Sequence, residues 1–151
     1  MKAFAQVRET TPAKLIFLSR MDYPELNNDV NYLKRLATQK GVIDSVEFVT
    51  RTLSQSEVKE FLSAADVVCL PFKLVLSDVP ISILEAKTLG KPVVSTNIAG
   101  IPEMLGVGGY SVDRNNVDAL AEKIHSILNN SNNRGNLSEL KERPIVGYRT
   151  W

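Results

Sequence analysis

The sequence predicts an α/β protein, a parallel sheet covered by helices on both faces. Short apolar runs of strand character alternate with longer segments of helical period from the first residues to about Asn130. Several of those runs, Val67 to Pro71 (VVCLP) most clearly, are apolar at every position, as strands buried on both faces are.

Taken in order, Lys14 to Ser19 (KLIFLS) reads as a buried strand. The segment Asp29 to Gln39 then places Val30, Leu33, Leu36 and Ala37 on one helical face, with Gly41 just past its end. Val46 to Thr50 (VEFVT) is the next strand. Ser54 and Glu57 form a Ser-x-x-Glu capping signature that opens a helix through Ala65, whose Val58, Phe61, Leu62 and Ala65 share a face. After the strand Val67 to Pro71, a helix begins at Pro80 or Ile81 and runs to Leu89, closed by Gly90 with Pro92 just beyond. Pro92 to Thr96 and Gly109 to Val112 read as strands. Asn116 caps a helix whose apolar face is Val117, Leu120, Ala121, Ile124, Ile127 and Leu128. The polar run from Asn129 to Asn136 reads as a linker, so residues 131–151 are expected to form a linker and a loosely attached C-terminal helix and tail beyond a domain of residues 1–130.

Composition narrows the function. The chain has 151 residues, 44% hydrophobic and 23% charged, enough for a core without staples. Eighteen Lys plus Arg against seventeen Asp plus Glu give a net charge of +1, no footprint for a nucleic-acid backbone. One cysteine, Cys69, and one histidine, His125, cannot build a disulfide or a metal site, so a reducing, cytoplasmic setting is expected and no metal. No apolar run approaches the roughly 18 residues of a spanning helix, and no transmembrane segment is expected.

Ligands of parallel sheets bind outside the carboxyl ends of the strands, which selects the loops 19–29, 50–53, 72–80 and 97–102. The stretch Leu76 to Glu103 is the most informative. A polar turn followed by Pro80 exposes free backbone N–H groups at the positive end of a helix dipole, an anion site unless Ser77 or Asp78 merely caps the helix. Glu85, on a helix whose Ile81, Ile83, Leu84 and Ala86 are apolar, must either pair internally, with Lys73 or Lys91 for example, or reach a polar ligand such as a sugar diol.

These residues carry a family resemblance. Leu70-Pro71, Pro80-Ile-Ser-Ile-Leu-Glu-Ala, Leu89-Gly-Lys-Pro-Val-Val-Ser-Thr and Gly100-Ile-Pro-Glu103, in this order and spacing, resemble the C-terminal, nucleotide-sugar-binding domain of the group 1 (family 4) glycosyltransferases of GT-B fold. Ala3 to Arg8, Ala13 to Ile16, Val46 to Val49, Ala64 to Val67 and the helix from Val117 to Leu128 follow the same running order, so the resemblance covers roughly residues 1–130.

The resemblance implies a Rossmann-like sheet and the donor-binding part of a retaining glycosyltransferase that uses a nucleoside diphosphate sugar and no cofactor. The acceptor would be a glycan, lipid or other molecule. By the same resemblance Glu85 matches the second Glu of a Glu-x7-Glu motif and binds the ribose hydroxyls, and backbone N–H groups around Val79 to Ile81 meet the diphosphate. Arg51 and Thr52 match the loop against the base, the alternative being a solvated turn.

Two departures stand out. The first Glu of the motif falls at Ser77, so Ser77 or Asp78 is expected to serve the sugar side. The chain also begins inside the helix that follows the family's first strand, the central one in the usual order 3-2-1-4-5-6, so the sheet is expected to lack that strand. Without it, and without the N-terminal acceptor-binding domain as partner, the isolated chain is expected to be inactive; the full enzyme would be cytoplasmic or membrane-peripheral. A non-catalytic truncated nucleotide-binding or interaction module is the alternative, and a nucleotide-sugar epimerase of similar fold a third reading.

Overall fold

A computed structural model describes residues 1–19, 25–74, 80–130 and 142–148. Helix α1 (Lys2–Thr10) leads to strand β1 (Ala13–Leu18), α2 (Glu25–Gln39), a single 3-10 turn (Ile43–Ser45) and β2 (Val46–Val49). Then come α3 (Gln55–Ala64), β3 (Val67–Leu70), α4 (Ile81–Thr88), β4 (Val93–Thr96), α5 (Ile101–Leu105), β5 (Gly109–Val112), α6 (Val117–Asn129) and β6 (Arg143–Tyr148). The strands form one six-stranded sheet in the order β2-β1-β6-β3-β4-β5. Every pairing in it is parallel.

The sequence punctuation is realised as read. Ser54 accepts the Glu57 amide at 3.3 Å while the Glu57 carboxylate accepts the Ser54 amide at 2.8 Å, so both ends of the capping box are made. Asn116 accepts the Ala119 amide at 3.0 Å and starts α6. Gly90 takes φ +67, a conformation that costs a side-chain-bearing residue energy, and there the chain leaves α4 for β4.

Two cores lie on opposite faces of the sheet, and successive strand residues alternate between them as the pleat requires. Val67 and Cys69 join Phe4, Val7, Ala37 and Ile124 under α1, α2 and α6. Val68 and Leu70 join Leu62, Ile83, Ile101 and Leu105 under α3, α4 and α5. Burial pushes the Cys69 thiol up to about 12. Cys69 is therefore expected to resist a thiol reagent at pH 8 for as long as the chain is folded and to react at once in denaturant; rapid labelling of the native chain would contradict its place in the core.

The C-terminal segment differs from expectation. In place of a loosely attached helix, Arg143–Tyr148 is a strand, and it is central, paired with β1 from Ala13↔Arg143 to Leu18↔Tyr148 and with β3 from Val67↔Ile145 to Cys69↔Gly147. The position expected to stand empty is thus filled from the other end of the sequence. Ile145 and Val146, 1% and 0% exposed, enter one core each. The strand's start is tied down where the Arg143 amide donates to the Pro12 carbonyl and the Asp66 amide to the Pro144 carbonyl, both at 2.9 Å.

Candidate functional site

The carboxyl ends of β3 and β4 are fixed by hydroxyl groups inside the sheet. Ser95 Oγ donates to the Leu70 carbonyl and Thr96 Oγ1 to the Phe72 carbonyl, both at 2.7 Å and both buried. These bonds set the course of the chain as it leaves β3. Arg114 Nη1 reaches the Lys73 carbonyl at 3.4 Å from the loop after β5 and steadies the same exit. Of the residues expected at the site, Ser77, Asp78 and Val79 lie outside the described residues.

Beyond that exit, α4 starts at Ile81 with Pro80 as its N-cap and no side-chain cap. The Ile83 amide returns to the Pro80 carbonyl at 3.0 Å, which leaves the amides of Ile81 and Ser82 without an acceptor in the helix. Helix α4 buries Ile83 and Ala86 but exposes Ile81 (68%) and Leu84 (45%), so it is less enclosed than its apolar sequence suggests.

Glu85 sits one turn along this helix. It is half-buried, and among the described residues neither Lys73, Lys91 nor any other group pairs with its carboxylate. Among the described residues, the internal ion pair that would have explained it is therefore not made. Its side chain instead lines a groove of about 770 Å³ between α4 and α3, with Leu84 and Thr88 on one wall and Gln55, Ser56 and Lys59 on the other. A carboxylate on an open groove, with amides that have no acceptor in the helix a turn away, can accept hydrogen bonds from two hydroxyl groups of a ligand whose anionic part meets the amides.

Arg51 and Thr52 follow β2 and lead into the first turn of α3, which forms the groove's far wall. The Arg51 guanidinium is engaged: Nη2 meets Glu57 Oε1 at 2.7 Å. The same arginine and the Ser54 hydrogen bonds hold the Glu57 carboxyl down at about 2. Arg51 thus braces the capping box of α3.

A second cavity, about 390 Å³, opens at the carboxyl ends of the strands on the other face, between Phe72, Thr96 and Asp113 on the sheet side and Tyr32 and Leu36 of α2. Sequence reasoning did not select the loop after β5 that contributes Asp113, Asn115 and Asn116. The run Asp-Arg-Asn-Asn was the available signal, a polar turn after a strand, and Asn115 takes φ +62 there. Among the described residues no group of three or more His, Cys, Asp or Glu is placed to hold a metal ion, and no helix is long and apolar enough to cross a membrane.

Comparison with known proteins places the fold and the family. The chain is similar to the putative colanic acid biosynthesis glycosyltransferase WcaL of Salmonella typhimurium, 40% identical where 45% of the chain meets 18% of that protein. It is also similar to WcaL of Escherichia coli, 38% identical over 61% of the chain and 24% of that protein. The amylovoran biosynthesis glycosyltransferase AmsK of Erwinia amylovora is 36% identical over 44% of the chain and 18% of that protein. The chain thus matches about a fifth to a quarter of the length of these curated relatives. In fold it resembles Anabaena Alr3699/HepE, solved in complex with UDP-glucose, with a TM-score of 0.74 at 21% identity over 87% of the chain and 36% of HepE. Residues 1–143 match the family described as Glycosyl transferases group 1, and the chain, a Rossmann-like sheet of that family's kind, belongs to it.

Proposed function

We propose that the chain is the donor-binding part of a retaining glycosyltransferase, holding a nucleoside diphosphate sugar for transfer to an acceptor bound by another domain of a longer protein. The observation that carries this reading is Glu85, a half-buried carboxylate with no partner among the described residues, on the groove between α3 and α4 and one turn from the open end of α4. Membership of the glycosyltransferase family supports it, as do the UDP-glucose complex of HepE and the greater length of the curated relatives, which leaves room for a second domain.

In this reading Glu85 accepts hydrogen bonds from the two ribose hydroxyls and fixes the nucleoside in register. Leu84 and the loop at Arg51 and Thr52 supply the surface against which the base lies. The amides at Val79 and Ile81 face the diphosphate, where they stabilise the negative charge that grows on the leaving group as the sugar bond breaks. Ser77 and Asp78 serve the sugar. Positioning and leaving-group stabilisation are then the chain's share of catalysis, and closure of a second domain excludes water from the donor.

Calorimetric titration of the chain with UDP, GDP and ADP tests this. One of the three is expected to bind, and Glu85→Ala to weaken it about 10- to 100-fold, the loss of hydrogen bonds to a charged group. The same variant should melt within a few degrees of the parent, because no ion pair or side-chain hydrogen bond of Glu85 among the described residues is removed. No binding by any of the three, or equal affinity in the variant, would sink the reading. Ser77, where the motif has a carboxylate, favours a second reading in which the module binds nucleotide without transferring sugar. Donor hydrolysis or transfer by the longer protein separates the two.

A further inference from the structure

We infer that Lys87 is a positioning residue for the groove: by tying α4 to α5 on the side away from α3, it keeps the Glu85 carboxylate turned toward the α3 wall. The inference rests on the reading of Glu85 as a ligand of the nucleotide, and it concerns what holds that carboxylate in place.

Glu85 and Lys87 are two residues apart on α4, so their side chains leave the helix on opposite sides. Glu85 lines the groove shared with Gln55 and Lys59 of α3. Lys87 goes the other way, where its Nζ donates to the Met104 carbonyl at 2.6 Å in a part-buried contact. That carbonyl lies in the last turn of α5, where the helix itself supplies no N–H, and Gly106 at φ +50 turns the chain away just beyond it. A Cβ at Gly106 would stand 3.5 Å from Nζ, so the ammonium is lodged against the turn. Lys87 is also the basic residue in the last turn of α4 itself. Its charge thus meets the negative ends of two helices at once, and the bond is charge-assisted.

For such a tie α5 is a fixed post and α4 is not. Ile101 and Leu105 of α5 are 1% and 2% exposed, and Gly109 of β5 comes so close that a Cβ there would meet the Leu105 side chain at 2.7 Å. The buried side chains of α4 are Ile83 and Ala86, a narrow apolar footing for eight residues. Apolar contact is not directional, so that footing resists rolling of the helix only weakly. Among the described residues the Lys87 bond is the one side-chain hydrogen bond from α4 to another element, since the Thr88 hydroxyl returns to Leu84 of its own helix. No ion pair among these residues supplements it. Without the tie α4 is free to roll, and a roll moves Glu85 along the groove and out of line with two hydroxyl groups that must be met together.

A double-mutant cycle on nucleotide affinity tests the inference, with UDP, GDP and ADP as the probes and the 151-residue chain as the protein. Lys87→Met, which keeps the stem and removes the donor, is expected to weaken the nucleotide that binds about 5- to 10-fold, within the range of residues coupled through one contact network. In a Glu85→Ala background the same change is expected to cost less than about twofold, because the carboxylate it positions is gone. Its effect on melting temperature is expected to be the same in both backgrounds. If Lys87→Met fails to fold, Lys87→Gln, a shorter and neutral donor, runs the same cycle with the same outcomes expected. Equal losses of affinity in the two backgrounds, or parental affinity in Lys87→Met, overturn the inference and leave the reading of Glu85 intact. Parental affinity in Glu85→Ala, or no binding of any of the three nucleotides, removes that reading and the inference with it.

Discussion

Removal of everything after Asn130 is expected to abolish the cooperative unfolding transition of the chain and to leave a species that binds a hydrophobic dye and aggregates. Among the described residues, β6 is the only strand that joins β2-β1 to β3-β4-β5, because β1 and β3 pair with it and not with each other. Without it the sheet becomes two fragments, each with a long apolar edge open to pairing with other chains. Ile145 and Val146 also leave the two cores at once. Burying two such side chains contributes about 1.5–3 kcal/mol each, against a total stability on the order of 5–15 kcal/mol, and the ladder bonds on both sides are lost with them. A loosely attached tail, by contrast, could be cut with little change in melting temperature. A truncated chain that melts cooperatively within a few degrees of the parent would show that β6 is dispensable.

The contrast shows what the sequence could and could not reveal. Strands such as Val67–Leu70 were legible because both their faces are buried, and helix ends because Ser54, Asn116, Gly41 and Gly90 each do one local job at them. α5 was missed because its five residues make barely more than one turn and Pro102 within it reads as a break. β6 was missed for a similar reason, since a proline in a run argues against a central strand. Pro144 is tolerated because it precedes the β3 ladder. Arg143 donates toward β1, the next amide position faces β3, and pairing with β3 begins only at Ile145. The missing N–H therefore falls where there is no ladder bond to make. Glu85 could be assigned a role only through family resemblance; its lack of a partner among the described residues depends on where Lys73 and Lys91 end up, which no local pattern encodes.

The ion pair that anchors β6 gives the other large expected effect. Arg143 Nε donates to Asp66 Oδ2 at 2.6 Å and Nη1 to the Leu128 carbonyl at 3.2 Å, joining the start of β6 to the start of β3 and the end of α6. The Asp66 side chain is 5% exposed and that of Arg143 19%. Asp66→Ala would leave a nearly buried guanidinium without its counter-charge, and it is expected to cost about 3–5 kcal/mol, a fall on the order of 10 °C in melting temperature. Arg143→Met, which strands the carboxylate instead, should cost a similar amount. The pair itself is not a strong net stabiliser: two charges are desolvated, and Arg143 Nη2 is buried with no partner among the described residues. Asp66→Leu combined with Arg143→Met should therefore recover most of the loss, since the Asp66 amide bond to Pro144 belongs to the backbone and survives both changes. Thermal or urea melts of the two single variants and the double variant measure this directly. Additive losses, with no recovery in the double variant, would mean that the two side chains hold β6 through separate contacts and not through each other.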